Sequence, residues 1–127
     1  MAKLKATPKN FEQALLALGL KDSVRLGNNT YLEVTAKDRD LVTEIGVRLH
    51  GTYIIRFHGA FDSDGYRSYF TTLHTGGYYT VTTKERINHF ISGRVYQKAH
   101  QWYYVRNRGE LGIDWGKPVE FTEGIEV

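Results

Sequence analysis

Apolar and polar residues alternate with a period of two through the middle of the chain. Val47 and Leu49 share one side of a run, and Arg48 and His50 share the other. After Gly51, the residues Tyr53, Ile55 and Phe57 alternate with Arg56 and His58. This pattern marks half-buried β-strands, here 41–49 and 52–58, with Gly51 breaking the run between them. Shorter strands precede them at 23–26 and 30–35. They are joined by Gly27-Asn28-Asn29, whose residues tolerate positive φ. The run AKDRD at 36–40 reads as a polar loop. Phe61 to Gly65 reads as a hairpin loop with a return strand at 66–74. Gly76-Gly77 makes another turn into a Tyr- and Thr-rich strand at 78–83. Strands 94–98 and 101–106 meet across an Ala99-His100 turn. A loop at 107–112 leads to a last extended segment at 119–122.

Two stretches switch to helical spacing. In residues 8–18, Phe11, Leu15 and Leu18 fall on one face, with Thr7 as cap, Pro8 at the first position and Gly19 as the stop. In residues 83–91, Ile87, Phe90 and Ile91 follow a Thr82–Glu85 capping-box spacing, and Ser92-Gly93 ends the helix. The chain therefore reads as α+β, with a mainly antiparallel sheet of six to eight strands and two short helices. Its 127 residues fit a single domain spanning 1–127.

Composition narrows the chemistry. The chain has no cysteine, which excludes disulfides, thiolate metal sites and cysteine nucleophiles. No apolar run approaches the roughly 20 residues needed to span a bilayer. The N-terminal MAKLKATPKN lacks the apolar region of a secretory signal. A cytoplasmic setting without membrane attachment is the expectation, and it makes the Asn28-Asn29-Thr30 glycosylation pattern meaningless. The net charge of +3 is unevenly spread. From Arg48 to Arg106 there are eight Lys and Arg against three acids, whereas from residue 107 onward there are five acids against two bases. All five histidines lie in the basic middle. A basic, aromatic middle is compatible with nucleic-acid binding, and equally with a solvated surface whose signs segregate.

Several constellations bear on chemistry. His50-Gly51-Thr52 has the H-x-T shape of two-histidine phosphoesterases, but no second copy accompanies it. If the protein is an enzyme, His50 is the catalytic candidate. A metal-free ribonuclease would pair it with His58 or His74 and Lys84, all close together. Asp62-x-Asp64-Gly65 resembles the start of a calcium loop, yet Leu73 stands where that loop needs its twelfth-position Glu. No histidine pair has zinc-protease spacing. No metal and no cofactor are expected. Thr82-Thr83-Lys84 at a helix start offers N–H groups, hydroxyls and a cation to an anion. The same residues suit, more simply, an ordinary cap with an exposed lysine. Tyr78, Tyr79, Tyr96, Trp102, Tyr103 and Tyr104 lie on strands beside Arg94, Lys98 and Arg106, where aromatics can stack bases and cations meet phosphates. Strand alternation commits about half of those aromatics to the core.

A set of motifs recurs in a fixed order: Leu26-Gly-Asn-Asn-Thr30, Val47-Arg-Leu-His-Gly-Thr52, Thr75-Gly-Gly-Tyr78, TVTTKERIN from Thr80 to Asn88, Val95-Tyr-Gln97, Trp102-Tyr103 and Phe121-Thr-Glu-Gly124. Together they resemble a family of small proteins encoded by tailed phages and prophages, over roughly residues 20–124. The chain departs from the family at Tyr78, where members often carry Trp, and in longer loops near 36–44 and 59–66. The resemblance implies a phage setting, hence the host cytoplasm, and supplies no mechanism.

The first expectation is thus a small phage-encoded binding protein that contacts nucleic acid. Its contacts would be Thr82, Thr83, Lys84, Arg86, Arg94, Tyr96, Lys98, Trp102, Tyr104 and Arg106. The alternatives are an inhibitor that binds a host or defence protein, and a histidine-dependent phosphodiesterase or nuclease working through His50. The sequence leaves the oligomeric state open.

Overall fold

The computed structural model describes residues 4–61, 64, 65, 67–106 and 117–127. Its elements run α1 (Phe11–Leu18), β1 (Ser23–Gly27), β2 (Thr30–Asp38), β3 (Leu41–Leu49), β4 (Thr52–Phe61), β5 (Arg67–Leu73), α2 (Val81–Asn88), β6 (Arg94–Lys98), β7 (Gln101–Val105), β8 (Val119–Glu120) and β9 (Ile125–Glu126). The expected α+β class is present, and its described strands divide between two antiparallel sheets. One has the order β1-β2-β3-β4-β5-β9, the other β6-β7-β8.

The first five strands form a meander of hairpins. Residues 36–40 are not a loop: β2 continues to Asp38 and β3 begins at Leu41. A two-residue turn suffices because Arg39 adopts a left-handed φ of 58°. Between Val47 and Arg48 the register on β4 skips one residue, so Ile54 and Ile55 are both buried. This bulge is why strict alternation fails at that point. The loop expected at 61–65 and the one at 107–112 fall partly or wholly outside the described residues.

Both helices begin elsewhere than the sequence suggests. Thr7 and Pro8 lie before α1. Asn10 caps it by accepting from the Gln13 N–H at 2.8 Å, and Gln13 Oε1 accepts from the Lys9 N–H at 2.9 Å. Phe11, Ala14 and Leu18 are buried, and Leu15 is half exposed. Residues 78–83 do not form a strand. Gly76 and Gly77 take positive φ, and the chain enters α2 at Val81. Thr80, not Thr82, is the cap, since its hydroxyl accepts from the Thr83 N–H at 3.1 Å.

One face of the large sheet carries Leu26, Leu32, Ile45, Val47, Ile55, Phe57 and Leu73, all buried, and α1 packs on it. Ile87 and Phe90 of the α2 region and Val95, Trp102 and Tyr104 of the small sheet join the same apolar cluster. The C-terminal stretch ties the two sheets. Phe121 packs on Trp102 and Tyr79, and β9 then pairs with β5. Between them Glu123 accepts from the Thr75 N–H at 2.9 Å and from its hydroxyl. Asn88 clamps the outer edge of β6: its side-chain N–H donates to Val95 O at 2.8 Å, and its oxygen accepts from the Val95 N–H at 2.7 Å. No helix among the described residues is long and apolar enough to cross a membrane.

Candidate nucleic-acid interface

Register places Tyr96 directly opposite Tyr103, and Lys98 opposite Gln101, on the β6–β7 hairpin. Directly opposed residues share a sheet face. Val95 and Tyr104, their alternates, are buried, so the Tyr96 face points outward. Its two tyrosine rings stack with centroids 5.7 Å apart. The Arg94 guanidinium lies 5.0 Å from the Tyr96 ring centroid. Glu120 pairs beside Tyr103 from β8. The result is a mutually stacked, half-buried pair of aromatic rings between Arg94 and Lys98. Tyr103, one of the candidate stacking aromatics, belongs to it; its position opposite Tyr96 across the Ala99-His100 turn is what brings the two rings together.

The remaining expected contacts lie elsewhere. Trp102 and Tyr104 face inward and are buried. Trp102 is enclosed by Tyr79 and Phe121, with the Lys84 ammonium 5.8 Å from its ring centroid. Lys84 therefore braces α2 against the small sheet. Thr83 is buried, with its N–H and hydroxyl both bonded to Thr80. Arg86 sits in the last turn of α2, where a cation suits the helix dipole, and its buried Nε has no hydrogen-bond partner among the described residues. Arg106 borders a separate depression with Lys9, Tyr104 and Val127.

His50 occupies the β3–β4 turn with φ 55° and is exposed. It borders a cleft of about 540 Å³ with Thr52, Thr75, Tyr78, Thr80 and Thr82. No other histidine lines this cleft. His58 and His74 belong to the face of the large sheet turned away from α1, and Lys84 lies over Trp102. The grouping of His50 with those three residues is therefore not formed.

That open sheet face holds a network the sequence did not disclose. Arg48 meets Glu33 through Nε at 2.9 Å and Nη2 at 3.1 Å, and Tyr53 and Ser23 donate to the same carboxylate. The Arg48 guanidinium, helped by those hydroxyls against the opposing effect of burial, holds the Glu33 carboxyl down at about 2. Arg56 Nη1 lies 2.6 Å from Glu44, which also accepts from Thr35. Burial works against the Glu44 carboxylate, but these hydrogen bonds outweigh it and leave its pKa below the ordinary value. His58 Nδ1 is 3.7 Å from Glu44, and its Nε2 is 3.0 Å from the Thr72 hydroxyl. His74 Nε2 is 2.9 Å from the same hydroxyl. Burial, reinforced by Arg56, lowers the pKa of both histidines. Among the described residues no group of three or more His, Asp or Glu is arranged to hold a metal ion.

The chain was compared with known proteins. No curated protein matches it, and no solved structure matches it. A family model described as Kyanoviridae Gp96 protein matches residues 7–127, nearly the whole chain and all of the motifs that carry the phage resemblance. The chain therefore belongs to the Kyanoviridae Gp96 family of phage proteins.

Proposed function

We propose that this phage protein binds single-stranded nucleic acid across the outer face of the β6–β7 hairpin. The observation that carries the reading is the stacked Tyr96–Tyr103 pair flanked by Arg94 and Lys98. Bases stack on exposed aromatic rings whatever their identity, and cations beside the rings follow the phosphate backbone. Glu120 puts a carboxylate beside Tyr103, so the cations that meet the backbone are Arg94 and Lys98, and the half-open rings suit a strand whose bases are already unpaired.

The test is binding of a labelled single-stranded oligonucleotide at about 50 mM salt, where phosphate contacts are strongest. Tyr96→Ala and Tyr103→Ala each weaken binding by about 5- to 100-fold, the usual worth of one stacked base. Lys98→Ala lowers the salt slope by about one counterion. Absence of binding at low salt, or equal binding by the double tyrosine variant, rejects the reading.

A second reading, an inhibitor that binds a host protein, draws on the exposed apolar run of Tyr78, Tyr79 and Val81. A host protein retained by the parent chain and lost with Val81→Asp, with no nucleic acid recovered, selects this reading over the first.

A further inference from the structure

The open face of the large sheet carries groups that the β6–β7 strip does not use. Arg56 and His58 lie two residues apart on β4, and alternation puts both on the side away from α1. Glu44 reaches them from β3, with Oε1 at 2.6 Å from Arg56 and Oε2 at 3.7 Å from His58 Nδ1. The Nε2 atoms of His58 and His74 converge on the single Thr72 hydroxyl, at 3.0 and 2.9 Å. Phe70 lies flat against the His58 ring, with centroids 4.3 Å apart.

Proton placement on this cluster is constrained. A hydroxyl has one hydrogen to donate, so Thr72 donates to one imidazole and accepts from the other. Glu44 beside His58 Nδ1 favours a proton there, which leaves His58 Nε2 with a lone pair for the Thr72 proton. His74 Nε2 is then the donor. One ring offers a base and the other an N–H, side by side, with a guanidinium on the same face. The reaction that uses a base, an acid and a cation around one phosphate, and nothing else, is internal transphosphorylation of RNA.

We propose that this face cleaves single-stranded RNA, with His58 as general base, His74 as general acid and Arg56 as the phosphate-stabilising cation. The Thr72 hydroxyl rotates from between the two rings, and a phosphodiester oxygen takes its place. His58 Nε2 takes the proton of the ribose 2′-hydroxyl as its oxygen bonds to the adjacent phosphorus. The bond from phosphorus to the 5′ oxygen of the next nucleotide breaks. His74, as imidazolium, gives its Nε2 proton to that leaving oxygen. The products are a 2′,3′-cyclic phosphate and a free 5′-hydroxyl. One proton is taken up and one released, so no water, oxidant or metal ion is consumed. Glu44 orients His58 and is a positioning residue. Phe70, at the rim, offers a ring to the neighbouring base.

The charged and titratable groups facing the pair are Glu44 from β3, Arg56 from β4 and Glu123 and Glu126 from the C-terminal segment. Burial disfavours the imidazolium that the acid role requires. The reaction is therefore fastest on the acidic side of neutrality and declines as His74 loses its proton. The proposal stands on a different face from the β6–β7 strip and does not depend on it.

The experiment incubates the full chain with a uridine-rich RNA oligonucleotide, and separately with DNA of the same sequence. EDTA is present throughout, and the pH is stepped from 5 to 8. The expected result is RNA cut to fragments ending in 2′,3′-cyclic phosphate, with DNA intact for want of the 2′-hydroxyl. His58→Ala and His74→Ala each slow cleavage by about 100-fold or more, the usual contribution of a general acid or base. His50→Ala cuts at the parental rate. Far-ultraviolet circular dichroism, with His58→Asn and His74→Gln as a second pair, separates lost chemistry from lost fold. Uncut RNA at every pH overturns the proposal. So does cleavage that persists in both folded histidine variants, or product ending in a 3′-hydroxyl.

Discussion

Glu33 gathers four hydrogen bonds on one carboxylate: two from Arg48 and one each from Tyr53 and Ser23. Its folded pKa of about 2 lies well below the ordinary 4.5. For a carboxyl with a depressed pKa the stabilisation is complete above the unfolded value and is lost as the pH falls through the folded one. Glu33→Gln is expected to lower stability by about 1–3 kcal/mol at pH 7, the range for hydrogen bonds to a charged group. Urea midpoints of parent and variant converge as the pH drops from about 4.5 toward 2, where the parent carboxyl is itself protonated. A gap that stays constant with pH assigns the loss to packing alone. Little of this was legible in the sequence. Alternation puts Arg48 on a polar face, but its partner lies 15 residues earlier, across a hairpin whose register no local pattern fixes. Arg56 and Glu44 are hidden in the same way, whereas Arg56 and His58, on one strand, are visibly co-facial.

At the scale of elements, the centres of the strands between residues 23 and 58 could be read because one face of each is apolar, while the ends of β2 and β4 could not. The helix starts could not. Thr80 and Thr82 both stand at capping distance from the first apolar residues of α2, and propensity does not choose between them. The choice is made by Gly76 and Gly77 with positive φ, and by Glu123, 48 residues from Thr75, which holds the turn before the helix. Burial alone would raise the Glu123 carboxyl; hydrogen bonds from Thr75, Tyr79 and Gly76 bring its pKa below the ordinary value. The cap assignment is testable by thermal or chemical denaturation. Thr80→Ala is expected to cost about 1 kcal/mol, the usual worth of an N-cap, and Thr82→Ala less than about 0.5 kcal/mol. The opposite order moves the cap back to Thr82. The same element explains why the expected anion site is reduced: the helix start spends Thr83 and Thr80 on each other.

For the whole molecule, the last residues decide how the two sheets share one core. Phe121 is buried against Trp102 on the small sheet, and six residues later the Val127 N–H donates to Thr71 O on the large one. The sequence offered a short extended segment at 119–122. It did not offer β9, because two residues of strand carry no periodicity. Phe121→Ala is expected to cost about 3–5 kcal/mol as a buried aromatic truncation. Hydrogen exchange then speeds in β5 as well as β7; a change confined to β7 means the sheets unfold separately. The Asn88 clamp has a consequence at this scale too. An open strand edge is a template on which further copies can add. By occupying the N–H and C=O of Val95, one side-chain amide removes one rung of that template. The same amide that fastens α2 to the hairpin thus also blunts the hairpin's open edge against a second copy.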